Sequence, residues 1–435
     1  MKKEFKGKKI LVMGLGLHGG GAAAVRFFLT QGAEVVVTDL KKGEELKKHL
    51  NGLRGANLKF VFGEHRKKDF VKADLIIRNP AVPLTSPYIR FAEKRGIPVK
   101  TDIEIFFDLV PPAQIIGITG TKGKSTTATL SYLFLKTKYR NVFLGGNIGI
   151  SPLSFVSKIN KKARIILELS SFELESLRKS PHIAVITKIF PDHLDRHKTF
   201  KNYLRAKENI FKYQKKGDIL ILNSLDGFLR RFASKSLSKV CFFDPEDVAK
   251  KYKLNFLTEA DAVNISAAVK VGEIFKISQS KIKKTLSSFK GIPHRQELVA
   301  VKKEVQYIND TTATTPQSVV LGLEKFRKKF PGAGIILIAG GVDKGFDYKE
   351  MAEKIKKETN QLILLPGDAS AKIKKKMKKN GIIEVKSMKE AVRTAARLSS
   401  RGGIVLLSPG AASFNIFKNE FDRGEQFIRE VKELK

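Results

Sequence analysis

The stretch "GITGTKGKST", Gly117 to Thr126, nearly spells the phosphate-binding pattern G-x-x-x-x-G-K-[ST]. Counting back five from Gly123 lands on Ile118, so the nearest glycine, Gly117, stands one residue early. The apolar "QIIGIT" that leads in predicts a strand, and "TTATLSYLFLK" that leads out predicts a helix. Between strand and helix, the backbone N–H groups of Thr121 to Lys124 can wrap phosphates. Lys124 can neutralise β and γ oxygens, and the Ser125 hydroxyl is placed to ligate Mg²⁺. Ile118 alters only the entry turn. Gly120, Thr121, Lys122, Gly123, Lys124, Ser125 and Thr126 are therefore read as a nucleotide triphosphate cradle, the bland alternative being a glycine-rich turn with no ligand.

Upstream, "KKILVMGLGLHGGGAAAVRFFLTQGAEVVVTD" reads as strand, glycine turn, helix and strand. Gly14, Gly16 and Gly19 have G-x-G-x-x-G spacing, and Asp39 ends the second strand 20 residues after Gly19. In a βαβ unit such glycines let the backbone approach a diphosphate, and the acid can take a ribose hydroxyl. "ADLIIRNPAVP" adds a strand and a loop stiffened by Pro80 and Pro83. Downstream of the opening loop, "ARIILEL", "IAVITKI" and "GDILIL" alternate with helical stretches, the pattern of a largely parallel sheet. After "GIPHR", a third series of strands ("VQYIND", "GIILIAGG", "LILLPG", "GIVLLSPG") predicts a smaller doubly wound unit. The fold class is thus α/β in three domains, placed at 1–98, 99–291 and 292–435.

Composition narrows the class. With 435 residues and 42% apolar content, the chain exceeds one ordinary core. No apolar run reaches the roughly 18 to 20 residues of a membrane span. The start, "MKKEFKGKKILVMGLG", runs into a strand-like segment rather than a leader's apolar region, so a cytoplasmic location is expected. The single Cys241 excludes an internal disulfide framework. Lysine and arginine number 82 against 43 acids, a formal +39 that raises nucleic acid as a partner. The lysines are spread along the whole chain, however, and no recognition motif accompanies them, so no specific nucleic-acid partner is expected.

Three further residues bear on ATP chemistry. Glu168 ends the buried-looking strand of "IILELSSFELE", where a charge is costly unless paired or bound to metal. His193 in "PDHLDRH" is either a metal ligand or a loop residue. Lys207 in "YLRAKENIF" is, by spacing alone, one more surface lysine.

Taken together, "GITGTKGKST", "GGNIG", "LELSSFELE", "DHLDRH", "YLRAK", "PHR", "YINDTTAT" and "LLSPGAASFNIFKNEFDRG" resemble, in order and spacing, the Mur ligase family, ATP-dependent amide-forming enzymes of peptidoglycan synthesis. The resemblance covers essentially the full length and is greatest to members that add D-glutamate to UDP-N-acetylmuramoyl-L-alanine. It implies a Rossmann-like UDP-binding domain, a central P-loop-type ATPase domain and a C-terminal Rossmann-like domain. Ser125 and Glu168 would hold one Mg²⁺, and His193 and Lys207 a second, with Lys207 carrying CO₂ as a carbamate. Asn264, Arg295 and Asp310 match ATP contacts. Gly14, Gly16, Leu17, His18, Asp39, Asn79 and Asn147 match the UDP-muramyl site, and Thr314, Lys344, Ser413 and Phe414 the D-glutamate site. The implied enzyme is a monomer serving cell-wall growth, and hence cell shape and division. Three other readings stay open: a sister ligase adding another amino acid, a NAD-dependent dehydrogenase built on Asp39, and a basic nucleic-acid-binding ATPase.

Overall fold

The computed structural model describes residues 4–15, 20–50, 52–254, 259–289, 291–377, 381–413 and 416–434. Apolar runs of four or five residues form its strands, and several are buried along their entire length because helices cover both faces of the sheet. The first sheet comprises β1 (Lys9–Met13), β2 (Glu34–Asp39), β3 (Leu58–Phe62), β4 (Leu75–Arg78) and β5 (Val99–Lys100). The second comprises β6 (Ile115–Thr119), β7 (Val142–Gly146), β8 (Arg164–Glu168), β9 (Ile183–Ile186), β10 (Ile219–Asn223) and β11 (Lys239–Phe243). The third comprises β12 (Glu297–Lys302), β13 (Val305–Asn309), β14 (Ile335–Ala339), β15 (Gln361–Leu364), β16 (Ile383–Glu384) and β17 (Ile404–Leu407). Every described pairing is parallel except the β12–β13 hairpin.

Strand order decides where ligands can sit. The first sheet runs β3-β2-β1-β4-β5, so the winding reverses between β1 and β4, and the crevice at such a reversal is the expected binding point. Gly14 and Asn79 follow those two strands. The second sheet runs β11-β10-β9-β6-β8-β7, which puts the opening loop, after β6, between the ends of β8 and β9.

The chain divides after Ser288 into two units. In the first, both sheets share one apolar core that includes Val12 and Ile77 from one sheet and Ile165 and Ala184 from the other. Phe106, on the helix Asp102–Leu109, meets Phe155 edge-on at 6.0 Å within that core. In the second unit, helices cover the third sheet on both faces, with Leu337 and Leu406 in one core and Ile338 and Leu407 in the other.

Candidate active site

The opening loop is held both by its neighbours and by its own side chains. Thr121 N–H donates to the Lys188 carbonyl at 2.7 Å, and Thr187 Oγ1 donates to the Lys122 carbonyl at 2.7 Å. Gly123 has φ +88°, and a Cβ there would lie 1.7 Å from Asn264 Oδ1. The left-handed turn favours glycine there, and a Cβ would in addition make the Asn264 side chain move. Asn264 lies on the helix Glu259–Ile274, and its carbonyl accepts from Thr127 Oγ1 at 3.0 Å. Lys124 curls back over the loop, donating to the carbonyls of Gly120 (3.1 Å) and Thr121 (3.0 Å). Ser125 is buried one residue inside the helix Lys124–Lys136.

Beside the loop, Glu168 closes β8 with only 1% exposure. Its Oε1 accepts from Asn147 Nδ2 at 3.1 Å, while Oε2 is buried with no hydrogen-bond partner among the described residues. An orphaned carboxylate oxygen costs about 1–3 kcal/mol or more, so the position suits a cation. Lys207 is also 1% exposed, and its Nζ donates to Gly120 O at 2.8 Å and Thr119 Oγ1 at 3.2 Å. Burial, and then the charge of Lys124, hold its amine well below the ordinary lysine range. The surface-lysine alternative is thereby excluded by position. His193 has a left-handed backbone (φ 53°), its N–H donates to Asp192 Oδ1 at 2.9 Å, and its ring lies 4.9 Å from that of Phe172.

At the first sheet, Gly14 (φ +85°) donates its N–H to Thr38 O at 2.8 Å, and its missing Cβ would lie 2.9 Å from Asn79 Cβ. The Asp39 carboxylate accepts from Leu15 N–H at 2.9 Å and Lys41 N–H at 3.0 Å, tying the glycine turn to the end of β2. Gly16, Leu17 and His18 lie outside the described residues. Gly21 supplies the close helix packing, since a Cβ there would sit 2.3 Å from Leu15 O.

In the second unit Asp310 is buried, and its Oδ2 accepts from Ser408 Oγ at 3.0 Å; burial pushes its carboxyl up to about 7. Arg295 is exposed, and its charge partly offsets that push. Thr314 is half-buried and Lys344 exposed, whereas Ser413 is buried, its Oγ having no hydrogen-bond partner among the described residues. Phe414 lies outside the described residues.

Sequence reasoning missed two supports. Tyr203 is buried, its hydroxyl is 2.9 Å from Thr121 Oγ1, and its ring lies 4.8 Å from Lys207 Nζ. Its place four residues before Lys207, on one helix face, was the available signal. Arg423 is fully buried and gives Nη2 to Thr311 O at 2.8 Å and Nη1 to Ala411 O at 3.2 Å, fastening two loops of the second unit. It belongs to the quoted "FDRG" but had been given no role.

Three wound sheets, with a phosphate-type turn on the second, define an α/β nucleotide-binding enzyme. Comparison with known proteins makes the class specific. Residues 8–101 match the Mur ligase MurD-like N-terminal domain, 118–287 the Mur ligase middle domain, and 294–411 the Mur ligase glutamate ligase domain. The chain belongs to the Mur ligase family, the ATP-dependent, amide-forming ligases. It is 36% identical over 468 residues to the UDP-N-acetylmuramoylalanine--D-glutamate ligase of Roseiflexus sp. (strain RS-1), covering 99% of each chain. It is 38% identical over 457 residues to the enzyme of the same name from Borreliella burgdorferi (strain ZS7), again covering 99% of each. Among solved structures it resembles the UDP-N-acetylmuramate-alanine ligase of Thermotoga maritima, with TM-score 0.64 and 17% identity over 98% of this chain and 99% of that one, a likeness of fold.

Proposed function

We propose that this chain uses ATP to join D-glutamate to UDP-N-acetylmuramoyl-L-alanine in peptidoglycan precursor synthesis, acting as a cytoplasmic monomer. The choice of substrates rests on the full-length likeness to two ligases of that name. Among the described residues no helix is long and apolar enough to cross a membrane. The matched stretches support domains close to 1–98, 99–291 and 292–435. Because β5 (Val99–Lys100) pairs with β4, the first boundary is better drawn just after Lys100.

The roles of the side chains are those that the resemblance to the family implies, and the geometry of the opening loop, Glu168 and Lys207 supports them. The N–H groups around Gly120 to Gly123 and the Lys124 ammonium cradle the β- and γ-phosphates, and Thr126 lines the same turn. Asn264, Arg295 and Asp310 serve adenine, phosphate and ribose. Ser125 and Glu168 hold one Mg²⁺, and His193 and Lys207, as a carbamate, hold a second. Bound there, the cations neutralise phosphate charge. Two observations support the carbamate. The Lys207 amine is held toward its neutral form, which is the form that takes up CO₂. The same amine is buried next to the Lys124 cation, which an added anionic group would meet at the phosphate cradle. Gly14, Asp39, Asn79 and Asn147, with Gly16, Leu17 and His18, receive the UDP-muramyl acceptor. Its alanyl carboxylate attacks the γ-phosphorus and ADP leaves. The D-glutamate amine then attacks the acyl phosphate carbon, and inorganic phosphate leaves as the amide forms. Thr314, Lys344, Ser413 and Phe414 form the D-glutamate site, with the Lys344 cation available for one carboxylate.

Phosphate release measured with ATP, Mg²⁺, UDP-N-acetylmuramoyl-L-alanine and a panel of single amino acids tests the reading. D-glutamate is expected to be required. L-glutamate is expected to be poor, because inversion at Cα swings the amine away from the acyl phosphate if both carboxylates stay anchored. Equal turnover with L-glutamate or meso-diaminopimelate would overturn it in favour of a sister ligase.

A further inference from the structure

The turn that follows β4 is fastened from behind by two guanidinium groups. Its own bonds are local: Ala81 N–H donates to Asn79 Oδ1 at 3.0 Å, and Val82 N–H to Asn79 O at 2.9 Å. Three successive carbonyls of the turn face the second sheet's side of the first unit. Arg196 donates Nη1 to Ala81 O at 2.8 Å and Nη2 to Val82 O at 3.2 Å and Pro80 O at 3.4 Å. Arg78 donates Nη1 to Val82 O at 2.6 Å and to Pro80 O at 3.4 Å. Glu175 Oε1 accepts from both, at 2.8 Å from Arg196 and 3.3 Å from Arg78, and Ser176 Oγ lies 3.3 Å from Arg78 Nη2.

Two features set this cluster apart from surface pairs. Arg78 is 1% exposed, and burial pulls its pKa below the ordinary value, so its charge is tolerated only because carbonyls and a carboxylate surround it. Arg196 occupies the short helix Leu194–His197, whose first flanking residue is His193. One rigid turn of helix therefore carries both His193 and the group that grips residues 80–82. The other side of the gripped turn presents Asn79 to Gly14.

We propose that Arg196, braced by Glu175 and Arg78, is a positioning residue that fixes the acceptor-binding turn at Asn79 in register with His193. The inference rests on the acceptor site assigned above. A planar fork is needed because it must span three carbonyls and a carboxylate at once, which an ammonium cannot do. The outer side of Arg196, with Pro83, Phe172 and Asn202, lines a cavity of about 1100 Å³, so a smaller side chain fits there without repacking.

Steady-state kinetics of Arg196→Lys and Glu175→Gln, with thermal melting, test it. The expected result for Arg196→Lys is a KM for UDP-N-acetylmuramoyl-L-alanine raised about tenfold, with the KM for ATP within about twofold and the melting midpoint within a few degrees. Glu175→Gln should move the same constant in the same direction by less, and it decides the matter if Arg196→Lys does not fold. An acceptor KM within twofold of wild type, or a parallel rise in every KM with a lower melting point, would overturn the inference and leave the cluster as packing between sheets. Calorimetric titration with the acceptor separates the two levels of the argument. A wild-type protein that does not bind it overturns the acceptor site and the inference together. Equal binding by wild type and Arg196→Lys overturns the inference alone.

Discussion

Lys124 and Lys207 are two lysines in one neighbourhood with opposite chemistry. Lys124 is stored on its own loop, bonded to the carbonyls of Gly120 and Thr121, where phosphate oxygens of higher charge would compete for its ammonium. Lys124→Ala should fold yet lose transition-state stabilisation that phosphoryl transfer needs: a rate reduced more than tenfold, at least ~1.4 kcal/mol. A turnover assay giving more than a tenth of the wild-type rate would remove the loop from the mechanism. Lys207 is held toward its neutral form. Its folded pKa is depressed while an unfolded lysine keeps the ordinary value near 10.5, so in the window between the two the unfolded chain binds more protons. Stability from this group therefore falls as pH falls through that window. Lys207→Met, which keeps the apolar stem, should flatten the pH dependence of stability measured by denaturant unfolding while abolishing most activity. ¹³C-bicarbonate should give the wild-type protein a carbamate resonance that the variant lacks. Identical pH slopes would refute the depressed amine, and an absent resonance would refute the carbamate.

At the scale of elements, the junction from β6 to the helix Lys124–Lys136 shows what sequence could and could not convey. The strand, the loop and the helix were legible because apolar runs and glycines mark them locally. The neighbour that Gly123 leaves room for was not, because Asn264 Oδ1 is 141 residues away in sequence. Gly123→Ala should weaken ATP binding and cost about 1–3 kcal/mol of stability from the left-handed backbone alone. Gly227→Ala, at the start of another helix with nothing within 4 Å of its Cβ, should be close to neutral. Comparable losses in the two variants, read by thermal melting and ATP titration, would contradict this account. Other elements escaped for related reasons. The strand β12 is joined to β13 through Lys303 and Glu304, which take φ of 49° and 62° without a glycine or asparagine to announce a turn. β5 is two residues long and carries no period. On the helix Phe200–Lys212 the lysines at 201, 207 and 212 look alike as letters, and only packing against Tyr203 and the opening loop sets Lys207 apart.

Over the whole molecule the formal charge of +39 has to be reconciled with an enzyme whose proposed substrates are all anions. A positive field raises the encounter rate of nucleotide and acceptor and imposes no fold of its own. The same field should attract nucleic acid without selecting a sequence, because the lysines behind it are spread along the whole chain. Two dependences on salt follow, and they differ in kind. Binding to a mixed-sequence duplex should be weak and should fall steeply, log-linearly, with added salt, as released counterions dictate. The acceptor KM should rise only mildly over the same range, because contacts within about a Debye length, roughly 8–10 Å, are incompletely screened once the ligand is seated. Fluorescence anisotropy with labelled duplex and a salt series of the phosphate-release assay measure the two slopes. If duplex binding instead persisted at physiological salt and DNA or RNA stimulated ATP turnover, the charge would be part of a nucleic-acid function. If the two slopes proved equal, the acceptor would be held by the diffuse field rather than by the turn at Asn79 and the glycines after β1.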